Sequence, residues 1–131
     1  ELAEFRAKTF LKHYKTQVLK HRWHHFFTSY IGALISQEKY IEVLRLSNKF
    51  HLREKEKERR KKNSYVPNIS WSISLSKYME GKIGANRLSD EIKEPLEGIT
   101  PTENQKQLIL QVMKKLSKNL PEAFLQSESY L

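Results

Sequence analysis

The sequence contains no cysteine. That removes disulfides, thiolate zinc sites and cysteine nucleophiles together, and it fits a reducing compartment. Only 4 glycines and 4 prolines occur among the 131 residues, which excludes collagen-like and low-complexity classes. No apolar run approaches the roughly 18 residues that a membrane span needs, and no secretory signal pattern stands at the start. A glycine-rich phosphate loop, a Ser/His/Asp elbow and a His-Glu-x-x-His pattern are all missing, so no catalytic residue is assigned. The expectation is a cytoplasmic protein with no cofactor, no small-molecule substrate and no enzyme chemistry of its own.

What is present is charge and aromatic surface. The formal net charge is +9, with 2 Trp, 6 Tyr and 6 Phe to anchor one core. Residues 1–63 carry sixteen Lys and Arg against seven Asp and Glu, and residues 64–131 carry eight of each, so the whole excess lies in the first half. Such a half can steer toward nucleic acid, an anionic membrane or an acidic partner, and it is equally compatible with a Lys-rich solvated face.

Apolar spacing predicts an all-α domain. A ragged stripe with Phe5, Leu11 and Leu19 suggests a helix over 3–20, and Trp23, Phe26, Phe27, Tyr30, Ile31, Leu34 and Ile35 form a wide apolar face over 22–35. Ser36 is a candidate cap for a helix running from about Glu38 into the basic run, with Tyr40, Ile41, Val43, Leu44, Leu46 and Phe50 on its buried side. The basic run, 53–62, holds seven bases and three acids. Glu56 with Arg60 and Glu58 with Lys62 have i,i+4 spacing. The run is expected as a flexible loop or helical extension that nothing apolar holds down, continuing into a linker over 63–70.

Trp71-Ser-Ile-Ser-Leu75 alternates like a strand, but Trp71, Leu75, Tyr78 and Met79 also fit a longer helical spacing, which is preferred. Gly81 and Gly84 would end that helix. A short helix with Leu88, Ile92 and Leu96 follows over 86–97, closed by Pro95. Thr100-Pro101-Thr102-Glu103 then reads as a start, with Thr100 as the cap and Glu103 closing a capping box, for a helix over 101–118. A last short helix would carry Phe124, Leu125 and Tyr130. The core expected from these stripes is Trp23, Phe26, Phe27, Ile41, Leu44, Phe50, Trp71, Met113 and Phe124.

Three weaker signals stand beside this. His21 with His24 or His25 has the spacing of helical metal ligands, but no third ligand is apparent, so no metal site is assigned. The basic run lacks interleaved aromatics and is interrupted by glutamates, which favours a solvated face over nucleic acid. Asn68-Ile69-Ser70 fits the glycosylation pattern, a common three-residue match.

Two stretches together resemble the RGS domain, the regulator-of-G-protein-signalling homology fold. Phe27, Tyr30 and Ile31 stand for its Phe-x-x-Phe-Leu. Ser36-Gln37-Glu38 stands for its acidic stretch, and Ile41, Val43 and Leu44 for Ile-x-Phe-Trp, with Phe50 six residues on. Leu120-Pro121 through Tyr130 is similar to the family's closing Tyr-Pro-x-Phe-Leu-x-Ser-x-x-Tyr, with one residue inserted. Lys77-Tyr78-Met79, Asn86 and the helix over 101–118 fall in family order. The resemblance covers most of residues 22–131. It implies a central four-helix bundle plus a small subdomain formed by the chain ends, in one domain over 1–131, one of several such modules in a large protein. It also implies a Gα partner contacted through Glu38, Lys39, Tyr40, Asn86, Arg87, Asn119, Glu122 and Ser127. The departures are at the same positions. The family's key asparagine is Lys39 or Tyr40 here, according to a one-residue gap, the Asp after Asn86 is missing, and the Asp and Arg near the closing motif are replaced by Asn119 and Glu122. Weak or absent stimulation of GTP hydrolysis is expected. The alternatives are an interaction domain that has lost the Gα surface and an anionic-polymer binder using residues 53–62.

Overall fold

In the computed structural model residues 1–17, 22–62 and 65–118 are described. They form seven α-helices: α1 (Leu2–Gln17), α2 (Trp23–Ser36), α3 (Tyr40–Phe50), α4 (Leu52–Lys57), α5 (Asn68–Met79), α6 (Ala85–Lys93) and α7 (Glu103–Leu116). A 3-10 turn, Glu94–Leu96, follows α6 and contains Pro95. No strand occurs among the described residues. The closing segment, with Phe124, Asn119, Glu122 and Ser127, lies outside them, as do Leu19 and His21.

The alternating Trp71–Leu75 segment is helical, and its alternation has a purpose. Ile69, Ser70, Trp71, Ser72, Ile73, Ser74, Leu75 and Ser76 are all buried, so α5 is enclosed on every side. Small serines between large apolar residues let α2, α3, α4 and α6 approach it closely. The Ser76 hydroxyl donates back to the Ser72 carbonyl, and the Ser74 hydroxyl is shared between the Glu91 carboxylate at 2.8 Å and the Ser70 carbonyl at 3.1 Å, which satisfies both inside the core. The Trp71 indole N–H donates to the Ile92 carbonyl at 2.9 Å and joins α5 to α6.

Around that axis the expected core is partly redrawn. Phe27, Phe50, Trp71 and Met113 are buried as their spacing implies, whereas Trp23, Phe26 and Leu44 are only partly covered. Ile41 is 52% exposed. The buried stripe of α3 is Tyr40, Val43, Ser47 and Phe50, a narrower arc that leaves Ile41 outside. Phe5, expected on a buried stripe of α1, is 66% exposed, and α1 departs from helical geometry at Tyr14.

Helix ends account for the remaining differences. Ser36 does not cap α3; its hydroxyl donates to the Ala33 carbonyl within α2. Instead Glu38 takes the left-handed conformation (φ 58°), and Glu38 and Lys39 amides donate to the Ile35 and Leu34 carbonyls, a Schellman closure of α2. A glutamate there lacks glycine's freedom. Glu38→Gly is therefore expected to raise stability by roughly 0.5–1 kcal/mol, read as a higher urea midpoint. Gly81 (φ 71°) closes α5 by the same device, while Gly84 precedes α6 rather than ending α5. The long helix expected from Glu38 onward is broken at His51 (φ 52°), which separates α3 from α4. α7 begins two residues later than its sequence signal. Thr102, not Thr100, is the cap, accepting from the Gln105 amide at 3.2 Å, and Pro101 lies before the helix. The Gln105 side chain leaves the box and donates to the Tyr65 carbonyl, so a tertiary bond replaces the local one.

Candidate functional site

Glu56 joins His24 at the start of α2 to the first turn of α5. Phe27 near the start of α2 packs on Phe50 at the end of α3, and Trp71 near the start of α5 bonds Ile92 at the end of α6. α2 and α5 thus run in the same sense, and α3 and α6 return antiparallel to them. The α2–α3 turn and the α5–α6 turn therefore share one end of the bundle. A cleft of about 380 Å³ at that end is lined by Glu38, Lys39, Tyr40, Ile41 and Glu42 together with Glu80, and by Glu4 and Lys8 of α1. Asn86 and Arg87, exposed in the first turn of α6, follow the second of these turns.

The residues singled out in sequence have different fates there. Glu38 is exposed. The Lys39 ammonium lies 2.6 Å from the Glu4 carboxylate, and Lys8 reaches the same carboxylate at 2.9 Å. Tyr40 is only 7% exposed, its hydroxyl has no hydrogen-bond partner among the described residues, and burial raises its pKa. Arg87 donates to Glu91 at 3.0 Å. Asn119, Glu122 and Ser127 lie outside the described residues.

The Glu4 carboxyl is held well down, from 4.5 to about 2, chiefly by the Lys39 hydrogen bond and then by Lys8, against the opposing effect of burial. A carboxyl depressed in the folded state contributes stability above its unfolded pKa, and that contribution disappears as pH falls through the folded value. The advantage of the wild type over Glu4→Gln is thus expected to be constant near neutrality and to vanish between about pH 5 and pH 2. Thermal melts of both proteins across that range check it.

At the opposite end of the bundle sits a polar arrangement that sequence reading did not find. Glu56, within the basic run, is completely buried. Its carboxylate accepts from the Ile69 and Ser70 amides at 3.0 and 2.8 Å, the first turn of α5, and meets His24 Nε2 at 2.9 Å. It is an N-cap supplied from a different helix, and its charge complements the positive end of the α5 dipole. Arg53 extends the same lattice, donating to Glu91, the Ser70 carbonyl and the Ser74 hydroxyl. The Glu91 carboxyl would be raised by its burial, but the Ser74 hydroxyl and Arg53 outweigh that, and its pKa is lowered. Next to this network Tyr65 is buried, and burial with the Glu56 charge pushes its pKa up to about 12.

The basic run is helical through Lys57, one of its two expected forms. It is held by Glu56, Arg53, Arg59 and Arg60, contrary to the expectation that nothing holds it, while Glu54, Lys57, Glu58, Lys61 and Lys62 are exposed. The helix stops at Lys57, short of Arg60 and Lys62, so the two i,i+4 pairs have no helical frame. Arg60 donates to the Glu94 carbonyl at 2.6 Å, and the Arg59 guanidinium lies 6.0 Å from the Trp23 ring. Lys61 and Lys62 remain exposed. Replacing Arg59 and Arg60 by Ser is expected to lower the melting temperature by several degrees, and replacing Lys61 and Lys62 to leave it unchanged. Differential scanning calorimetry of the two double variants distinguishes the halves of the run.

Among the described residues no three of His, Asp and Glu come together to hold a metal, and no helix is long and apolar enough to cross a membrane. The Asn68-Ile69-Ser70 triplet forms the first turn of α5, with Ile69 and Ser70 buried and held by Glu56. No family model, curated protein or solved structure matches the chain.

Proposed function

We propose that the chain is an RGS-like module that engages a Gα subunit and accelerates its GTP hydrolysis weakly or not at all. One observation carries this reading. Glu38, Lys39 and Tyr40 on one turn share a cleft with Glu80 on the next, and Asn86 and Arg87 follow at the same end of an all-helical bundle. The order of the motifs in the sequence supports it. In a domain of this kind positioned polar groups hold the partner near its transition-state arrangement. Here Lys39 is committed to Glu4 and Tyr40 is buried, so an amide that donates and accepts in one plane is lacking at both candidate positions.

The test is a pull-down against a panel of Gα subunits in the GDP and GDP–aluminium fluoride forms, with single-turnover GTP hydrolysis alongside. State-dependent capture with little acceleration is expected. Strong acceleration would restore a full GTPase-activating role. Absence of state-dependent capture would sink Gα binding and leave the second reading, an interaction domain that has kept the bundle and lost that surface. The committed Lys39 and buried Tyr40 favour this second reading. A nucleic-acid reading is weakened by Arg53, Arg59 and Arg60, which turn toward the protein rather than away from it.

A further inference from the structure

Along the side of the molecule away from α5, α1 and α2 run antiparallel and leave a groove of about 670 Å³, within the usual range for a small-molecule site. The cationic side chains of the groove stand at one end only, while Ser29 and Tyr30 add neutral polar groups along its wall. Ala3, Ala7, Phe10, Phe26 and Tyr30 line most of its length, and Gln17, Arg22 and His25 line the end where α1 gives way to α2. From Ala3 to Gln17 the wall is roughly 20 Å long at the rise of a helix. The small side chains of Ala3 and Ala7, one turn apart, open the space, and Phe10 remains 47% exposed beside it. Among the described residues no carboxylate lines the groove. Glu4, on the neighbouring face, is held by Lys8 and Lys39.

An apolar trough with a cationic end selects a molecule that is apolar along its length and anionic at one end. In the middle of the trough the rings of Phe10 and Phe26 are in contact, with centroids 5.8 Å apart, and form a continuous apolar floor along which a hydrocarbon chain can lie. We propose that this groove binds a single-chain amphiphile with an anionic head, a long-chain fatty carboxylate. The head lies against Arg22, whose planar guanidinium matches a carboxylate, and against His25. The tail lies over Phe26, Phe10 and Ala7 toward Ala3, where each buried methylene adds affinity.

The test is isothermal titration calorimetry of the full chain with sodium laurate, kept below its micellar concentration, and with dodecyltrimethylammonium, which has the same tail and the opposite head. Laurate is expected to bind at least about tenfold more tightly than the cation, and Arg22→Glu to remove that preference. Ala3→Trp, at an exposed position, is expected to weaken laurate by a similar factor while leaving the melting temperature of the ligand-free protein unchanged. Equal binding of the two head groups, or an Ala3→Trp variant that binds laurate normally, would overturn the proposal. So would a drop of several degrees in ligand-free Ala3→Trp, because the groove would then be filled by the protein itself. Sedimentation with phosphatidylserine vesicles in the absence of laurate binding would assign the surface to a bilayer and overturn it as well.

Discussion

Glu56→Ala is expected to lower stability by about 3–5 kcal/mol, the cost of removing one partner from a buried charged arrangement. Such a loss is a large share of the 5–15 kcal/mol that holds a typical domain. The side chain is fully enclosed, and three donors converge on it. Alanine leaves the Ile69 and Ser70 amides without their carboxylate acceptor at the start of the helix around which the others pack. It also removes the negative charge from the positive end of α5. Glu56→Gln keeps one acceptor oxygen and loses the charge, so a smaller drop of about 1–3 kcal/mol is expected. Urea unfolding of the three proteins, with an unchanged slope, reads these differences directly. A loss below about 1 kcal/mol in the alanine variant, the magnitude of an exposed ion pair, would show that Glu56 is not structurally committed.

Glu56 also marks where sequence reading fails. Residues 53–58 alternate Arg and Lys with Glu, and a solvated helix would have the same pattern. Nothing local distinguishes the one glutamate that turns inward, because its three partners lie 13, 14 and 32 residues away. Periodicity was sufficient for α2, where the apolar face is wide, but of the apolar stripe Leu108, Ile109, Val112, Met113 and Leu116 on α7 only Ile109, Met113 and Leu116 are buried, Val112 being partly covered and Leu108 45% exposed. It was sufficient for α5 only because the helical match ran beyond the alternating segment. It could not show that the serines between the apolar residues were buried as well. At α3 the pattern was too generous, since Tyr40, Ile41, Val43 and Leu44 are all apolar enough to be core and only packing selects Tyr40 and Val43. The start of α7 offered two threonines, and the choice of Thr102 came with a contact between Gln105 and Tyr65, forty residues apart. The candidate site was legible as a set of turns, but the ion pair between Glu4 and Lys39 crosses 35 residues, and its acidic member lies on the stretch with the weakest family likeness.

The same cleft yields the second large effect. Tyr40→Asn, one of the two substitutions that would install the asparagine implied by the family resemblance, is expected to destabilise the domain by about 3–5 kcal/mol, the range for truncating a buried aromatic. Tyr40 is 7% exposed and belongs to the central apolar cluster. An asparagine there empties the volume of the ring and puts an amide where even the tyrosine hydroxyl finds no partner among the described residues. Lys39→Asn differs in kind. The Lys39 side chain is 43% exposed, and its loss leaves the buried Glu4 carboxylate with Lys8 as its partner, a cost of about 1 kcal/mol. Thermal melts followed by circular dichroism should therefore separate the two, with Lys39→Asn close to the wild type and Tyr40→Asn melting far lower. A Tyr40→Asn protein that melts like the wild type would show that the ring does not hold the α2–α3 turn against the core. With the expected outcome, position 39 is the only one of the pair at which an amide can be offered to a Gα subunit by a folded domain. On the proposed Gα reading, single-turnover GTP hydrolysis with Lys39→Asn then measures whether supplying the amide produces any acceleration.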